Sequence, residues 1–451
     1  MKTVNPDKLN NVTKYDIIQI GVKMKKLLII LLIAAMIFTI SCGKKAPAAK
    51  VTVNFWHGLG GPLGDALNEM VKEYNKTHPE SEVVLNQVSS YEALSQKLMA
   101  SIQANQQPDI AQVFESWTSK FIEAKVIVPM DDMIKADKDF KDQKLEDFYP
   151  VFVNSNTFNG KVWSFPFNKS VRMIFYNKDA FVRANLDPNK PPADWDAFRA
   201  YCKTFTKDLN GDKQPDTYGS NFAPNAWQFI NLLYQAGGKV IDENGKVVIN
   251  QKPGVEALTY LTDLINKDKT VYLVTGYNGQ NDFLASKVAM YEGSSVSITH
   301  MKQQTINFNM GFAPLPIYKT NNSAISGSNV VIFKNADPKK EKAAWEFVKW
   351  FTDTEQTAKW SSMTNYMPVR KSAMQTKTMQ DLLASHEQYK AVYAQLDNAM
   401  TEPQIPEWFD ARPELEKAIE TALLKKKTPQ QALDALAKKL TEAIEANKKA
   451  K

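Results

Sequence analysis

Histidine and cysteine supply the side chains most often used for proton transfer near neutral pH, nucleophilic attack and soft-metal binding, and 451 residues hold only four of the first and two of the second. His57, His78, His300 and His386 are scattered, and Cys42 and Cys202 form neither a CxxC nor a cluster with histidine. Zinc held by thiolates has no place here, and catalysis built on a histidine base has few. GxSxG, HExxH and GxxxxGK[ST] are all missing, so the common hydrolase and nucleotide-binding machinery is not signalled. Oxygen ligands recur in Asp208-Leu-Asn210-Gly-Asp212-Lys-Gln-Pro-Asp216, a spacing like that of a calcium loop. Lys213 stands where that loop needs glycine, and Gly219 where it needs a closing glutamate. An Asx-rich turn is the better reading, and neither a metal nor another cofactor is expected. What remains is binding chemistry: carboxylates, hydroxyls and rings that must be brought together by the fold.

The elements that would do so begin at Val51-Thr-Val-Asn-Phe-Trp56, where alternating apolar residues predict a strand, followed by a glycine-rich turn and a helix from Pro62 to Tyr74. A strand over Glu82 to Val88 precedes a helix over Tyr91 to Ala104, and Pro108 to Phe114 precedes another helical stretch. Strands alternating with helices predict an α/β fold with a largely parallel sheet. Ligands of such sheets sit beyond the carboxyl ends of the strands. The loops after Trp56, Val88 and Phe114 should therefore share one edge, with His57, Tyr91 and Glu115 near a cleft. His57 is alone there and is expected behind the cleft or facing solvent. Trp56, Trp117, Trp227 and Trp408 are loop-adjacent rings able to stack on a ligand, while Trp345 and Trp350 fall on a helical core pattern.

Lys161 to Asp179 contains two apolar runs with a polar break at Asn168 to Ser170, read as a strand that leaves one lobe and enters another, and Lys287 to Ile298 with Asn309 to Pro316 as the return path. The last helix opens with Thr428-Pro-Gln-Gln431, a capping box around a first-position proline. With 43% hydrophobic and 23% charged residues, the chain is long enough for two or three domains.

Met24-Lys-Lys, the apolar run Leu27 to Ile40 and Ser41-Cys42 have the layout of an export signal, too short to span a bilayer comfortably. Residues 1–41 are read as leader: 1–23 as a misread start and 24–41 as a signal peptide resembling those of bacterial lipoproteins, with Cys42 the lipidated residue and 42–50 a tether. The formal charge of +7 falls to +3 without residues 1–41, which removes the main support for a nucleic-acid partner. Cys202 then has no partner within the mature chain and reads as a buried core thiol.

Phe55-Trp-His57 with its glycines, Gln112-Val-Phe-Glu115, Phe165-Pro-Phe-Asn-Lys-Ser170, Tyr176-Asn-Lys-Asp-Ala-Phe181, Pro191-Pro-Ala-Asp-Trp195, Ser294-Ser295, Thr364-Asn-Tyr-Met-Pro-Val369 and Lys427 to Leu433 together resemble one family. It is the extracellular sugar-binding family of solute-binding proteins serving ABC uptake transporters, most similar in its glycerol-3-phosphate-binding branch, and the resemblance runs nearly end to end. It implies a two-lobed, type II periplasmic-binding-protein fold with a hinge between lobes and a ligand cleft. The lobes would be 51–167 plus 316–362, and 168–315 plus 363–451. Ligand contacts implied by the resemblance fall on Tyr91, Glu115, Ser170, Ser294, Gly327 and Tyr366, with the Trp195 ring lining the cleft. Glu115 suits the two hydroxyls of a diol, and the serines, Tyr366 and the Gly327 N–H suit phosphate oxygens. One residue departs from the pattern: Gln404 stands where the branch uses an arginine to hold phosphate. Arg412 and Arg172 are the candidate substitutes, with Trp227 a further possible contact, and the loss makes a phosphodiester or neutral sugar more credible than a phosphomonoester.

The reading is thus a lipid-anchored envelope protein, periplasmic or on the outer face of the membrane. It captures glycerol-3-phosphate or a glycerophosphodiester and passes it to the ABC permease subunits, without bond chemistry. A neutral sugar or oligosaccharide is the alternative ligand. An exported carbohydrate-active hydrolase, and an adhesin with a dead cleft, are the alternatives of other classes.

Overall fold

Alternation in the first mature segment becomes strand β1 (Val51–His57), with Val53, Phe55 and His57 buried and Thr52 exposed. Helix α1 (Gly61–Thr77) carries Pro62 in its first turn. Strand β2 (Ser81–Gln87) leads to α2 (Tyr91–Gln103), capped by Ser90, whose Oγ accepts from Ala93 N at 3.1 Å. Strand β3 (Ile110–Val113), buried at every position, leads to α3 (Glu115–Glu123). Because β1 pairs in parallel with both β2 and β3, the three following loops lie at one sheet edge. In this computed structural model the described residues are 50–140, 145–276, 278–335 and 337–450. The leader, Cys42 and the tether as far as Ala49 lie outside them.

Strands β4 (Phe165–Ser170) and β5 (Arg172–Asn177) are both fully buried and break at Val171, not at Asn168 to Ser170. The three polar residues stay in the strand because two of them, Asn168 and Lys169, are buried with hydrogen-bonding partners, Tyr366 and Glu115. Two helices follow, α4 (Trp195–Phe205) and α5 (Ala226–Gln235). Strands β6 (Met290–Ser294) and β7 (Met310–Pro314) flank β5 antiparallel, forming a second sheet ordered β6-β5-β7. The segments expected to return the chain therefore do not; β8 (Ser326–Ile332) does, inserting between β3 and β4 antiparallel to each. The first sheet is ordered β2-β1-β3-β8-β4 and is mixed, where the sequence pattern implied mostly parallel pairing.

Helix α6 (Pro338–Phe351) packs Ala344, Phe347, Val348 and Phe351 into the core on β1, and α7 (Thr354–Thr364) ends at Asn365 in the left-handed region (φ 59°). Helices α8 (Trp408–Leu423) and α9 (Pro429–Ala450) close the chain. The α9 capping box is formed as expected: Gln431 N donates to Thr428 Oγ1 at 3.2 Å, and Thr428 N to Gln431 Oε1 at 3.0 Å. One hydrophobic cluster surrounds the first sheet, with Phe55, Phe165 and Trp345, and another joins β5 to α4, α5, α8 and α9 through Trp195, Leu233, Leu415 and Leu433. Cys202 is a free, fully buried thiol whose pKa burial pushes up.

Candidate functional site

The loop edge of the first sheet and the start of α8 enclose a cavity of about 710 Å³, within the range of small-molecule sites. Tyr91 and Glu115 line it from the first sheet, at the first positions of α2 and α3, as the loop argument required. The glycine turn after β1 braces the tyrosine: Gly58 N donates to Gln112 Oε1 at 2.8 Å, and Gln112 Nε2 to Tyr91 Oη at 3.4 Å. Trp117 and Phe409 add aromatic wall, with ring centroids 6.1 Å apart.

Glu115 is held from behind. The Lys169 ammonium, fully buried on β4, meets Glu115 Oε1 at 2.9 Å, and Asn329 Nδ2 of β8 meets the same oxygen at 3.2 Å. Among the described residues both of these partners bind Oε1, and neither binds Oε2. Next to this pair, Asn168 ties three elements together. Its Nδ2 donates to Tyr366 Oη at 2.8 Å and Tyr91 Oη at 3.3 Å, while its Oδ1 accepts from Ser328 N at 3.0 Å and from Ser328 Oγ. Tyr366 is itself buried, stacked on Trp360 at 5.7 Å, and its loop is pinned by Met367 N donating to Lys169 O at 2.7 Å.

Each arginine near the cleft is also paired. Arg412 lines the cavity and forks onto Glu402, with Nε at 2.9 Å and Nη2 at 3.3 Å, and reaches Glu416 at 3.4 Å. Burial acts to lower its pKa, but the carboxylates of Glu402, Glu416 and Glu115 outweigh it and raise the value. Arg172 binds Glu292 through Nε at 2.5 Å and its carbonyl through Nη2 at 2.9 Å, beneath the Trp227 ring at 5.1 Å. Gln404 spends its Nε2 on Asn154 O at 3.0 Å.

Ser170 pairs with the cavity-lining Ser326 in the β4–β8 register, and Ser294 pairs with Arg172 in the second sheet. Gly327 has φ +101°, and a Cβ there would lie 1.8 Å from Asn168 O, so the close approach of β4 alone demands glycine. Trp195 does not line this cavity. It is 4% exposed, stacked between Tyr260 and Tyr318 at 4.5 and 4.3 Å, and donates through Nε1 to Gln235. Trp227 is similarly spent, donating to Ala324 O at 2.7 Å. His57 is neither solvent-facing nor charged: it is 1% exposed, burial lowers its pKa to about 4, and its Nδ1 accepts from Leu59 N. The Asp208 to Asp216 carboxylates cap their own loop, Asp208 accepting from Gly211 N and Lys213 N. Asn168, Lys169, Asn329 and Glu402 escaped the sequence reading. Asn168, Lys169 and Glu402 lay in segments that drew notice there, but a strand lysine carries no local sign of burial.

Two sheets joined by the β4–β5 crossing, with a ring-walled cavity carrying several carboxylates at the loop edge of the first, define a two-lobed molecule of the type II periplasmic-binding-protein fold. The model of the bacterial extracellular solute-binding protein family matches residues 60–358, and the chain belongs to that family, as the solute-binding protein of an ABC transporter. It is 26% identical over 413 residues to the sn-glycerol-3-phosphate-binding periplasmic protein UgpB of Pectobacterium atrosepticum, covering 86% of this chain and 89% of that protein. Against UgpB of Escherichia coli K12 the identity is 25% over 406 residues, covering 86% and 91%. Among solved structures, UgpB from Mycobacterium tuberculosis in complex with glycerophosphocholine superposes with a TM-score of 0.77 at 20% identity, covering 88% of this chain and 100% of that one. The cyclic alpha-maltosyl-1,6-maltose binding protein of Arthrobacter globiformis gives 0.73 at 23%, covering 88% and 99%. Among the described residues no helix is long and apolar enough to cross a membrane.

Proposed function

We propose that the protein captures a hydroxyl-rich solute whose adjacent hydroxyls donate to Glu115 Oε2, and that the solute is a glycerophosphodiester, as in the UgpB complex with glycerophosphocholine. The observation that carries this is that Arg412, the one cation lining the cavity among the described residues, is paired with Glu402 and Glu416, while nearby Lys169 and Arg172 are spent on Glu115 and Glu292. Glu92, Glu115, Glu402 and Glu416 line the cavity against the single guanidinium of Arg412. A dianionic phosphomonoester such as glycerol-3-phosphate would meet this excess of carboxylate without a free fork to hold it. A phosphodiester carries one charge, and a cationic head group on it would offset that charge. The cavity's volume and its wall of rings favour a second reading, a neutral oligosaccharide. Tyr91 lies on the cavity wall, whereas Ser170, Ser294, Gly327 and Tyr366, the other contacts the resemblance implies, do not line the cavity in this arrangement.

The two lobes are each built on one sheet, and the solute is held when they close. Contacts of α3 with the α8 segment support a closed arrangement: Ser119 Oγ donates to Gln404 O at 2.6 Å, and Lys120 meets Asp410 at 2.8 Å and the Phe409 ring at 4.0 Å. Lipidation at Cys42 would keep the receptor beside the permease that takes the solute.

Calorimetry with three solutes tests the ligand. Glycerophosphocholine should bind 1:1 and more tightly than glycerol-3-phosphate. Binding of maltose-type oligosaccharides with neither glycerol compound would replace the glycerophosphodiester by the second reading.

A further inference from the structure

We infer that Lys169 is a positioning residue for solute capture, acting through Glu115, and the inference rests on the role just proposed for that carboxylate. Lys169 is 0% exposed, and its ammonium lies 2.9 Å from Glu115 Oε1. Its strand, β4, neighbours β8, which neighbours β3, so Lys169, Asn329 and Glu115 come from three adjacent strands or the helix leaving one of them. Asn329 Nδ2 shares the same carboxylate oxygen. The carboxylate is thereby clamped on one side, and its free oxygen keeps a fixed bearing at the mouth of α3.

A stability role alone does not explain the arrangement. Burying an ammonium is costly, and a buried ion pair is commonly no more stabilising than apolar residues of the same volume. Val, Phe and Met side chains fill the neighbouring core positions on β4, β5 and β8, so an apolar side chain would suit the sheet at Lys169. What an apolar residue could not do is hold Glu115 against rotation, and a diol needs two acceptor directions set in advance. Asn329 Oδ1 is buried without a hydrogen-bonding partner among the described residues. That corner is therefore polar beyond what packing requires.

The test is a double-mutant cycle on the whole protein, read by calorimetry with whichever of glycerophosphocholine and maltose the wild type binds. Lys169→Met should weaken binding at least about tenfold, the scale of one oriented charge-assisted hydrogen bond, with Lys169→Arg recovering part of the loss. Glu115→Gln and the double variant Lys169→Met/Glu115→Gln should bind equally weakly, because Lys169 has nothing left to orient. That comparison stands even if Lys169→Met alone fails to fold, since the double variant buries no unpaired charge. A further loss in the double variant, or an unchanged affinity in Lys169→Met while Glu115→Gln is weakened, overturns the role of Lys169 alone. An unchanged affinity in Glu115→Gln, or no binding of either probe by the wild type, overturns the underlying reading of Glu115 and the positioning role with it.

Discussion

His57 shows how little a residue's place in the sequence says about its state. It ends β1 at the ligand edge, yet the imidazole is buried against Phe55 with its Nδ1 turned to Leu59 N. Burial lowers its pKa from 6.5 to about 4. Between those values the unfolded chain binds a proton that the folded chain refuses, so this contribution is complete above about pH 6.5 and is lost as pH falls towards 4. From pH 7 to 4.5 the loss amounts to about 2 kcal/mol. Urea unfolding at the two pH values should show that drop shrinking by about the same amount in His57→Gln; an equal drop in both proteins would mean that His57 titrates normally in the fold. Glu115 is the opposite case, foreseen from its loop, while its anchor Lys169 was not. The anchor lies 54 residues away along the chain, and no local pattern joins them.

At the scale of elements, the contact of α3 with α8 is the one that, on the proposed function, would hold the closed arrangement. Lys120 and Asp410 are both partly open to water, the latter 76% exposed, so their bond is a weak one. Asp410→Ala should therefore speed solute dissociation only about two- to fivefold, with association little changed, and the difference from wild type should fade in 1 M salt. Stopped-flow tryptophan fluorescence reads both rates. An unchanged dissociation rate at low salt would show that this pair does not hold the closed arrangement. The first three strands, the helices after them and the last helix were legible because strand alternation, Pro62 and the Thr428 capping box are local signals. Strand β8 was not: Ser-Gly-Ser-Asn-Val-Val-Ile has no period-two pattern, since both faces are buried and a bulge falls between Ser328 and Asn329. Its position between β3 and β4 is a long-range pairing that no window of sequence contains.

For the whole molecule, the family and the two-lobed fold were readable from motifs spread along the chain, and family matching and structural similarity agree. Which of the candidate site residues reach the cavity was less legible, because Trp195 and Trp227 are consumed by core packing and Arg172 by Glu292. More than half of the formal charge of +7 lies in residues 1–41, and the cavity itself carries four glutamates against one arginine. Every part of the account passes through one oxygen, Glu115 Oε2. The measurement that tests it most directly is calorimetry of Glu115→Ala with the solute the wild type binds, alongside thermal unfolding of both proteins. Binding should fall below detection while the melting curve stays close to wild type; a folded Glu115→Ala protein that binds with unchanged affinity would contradict the account.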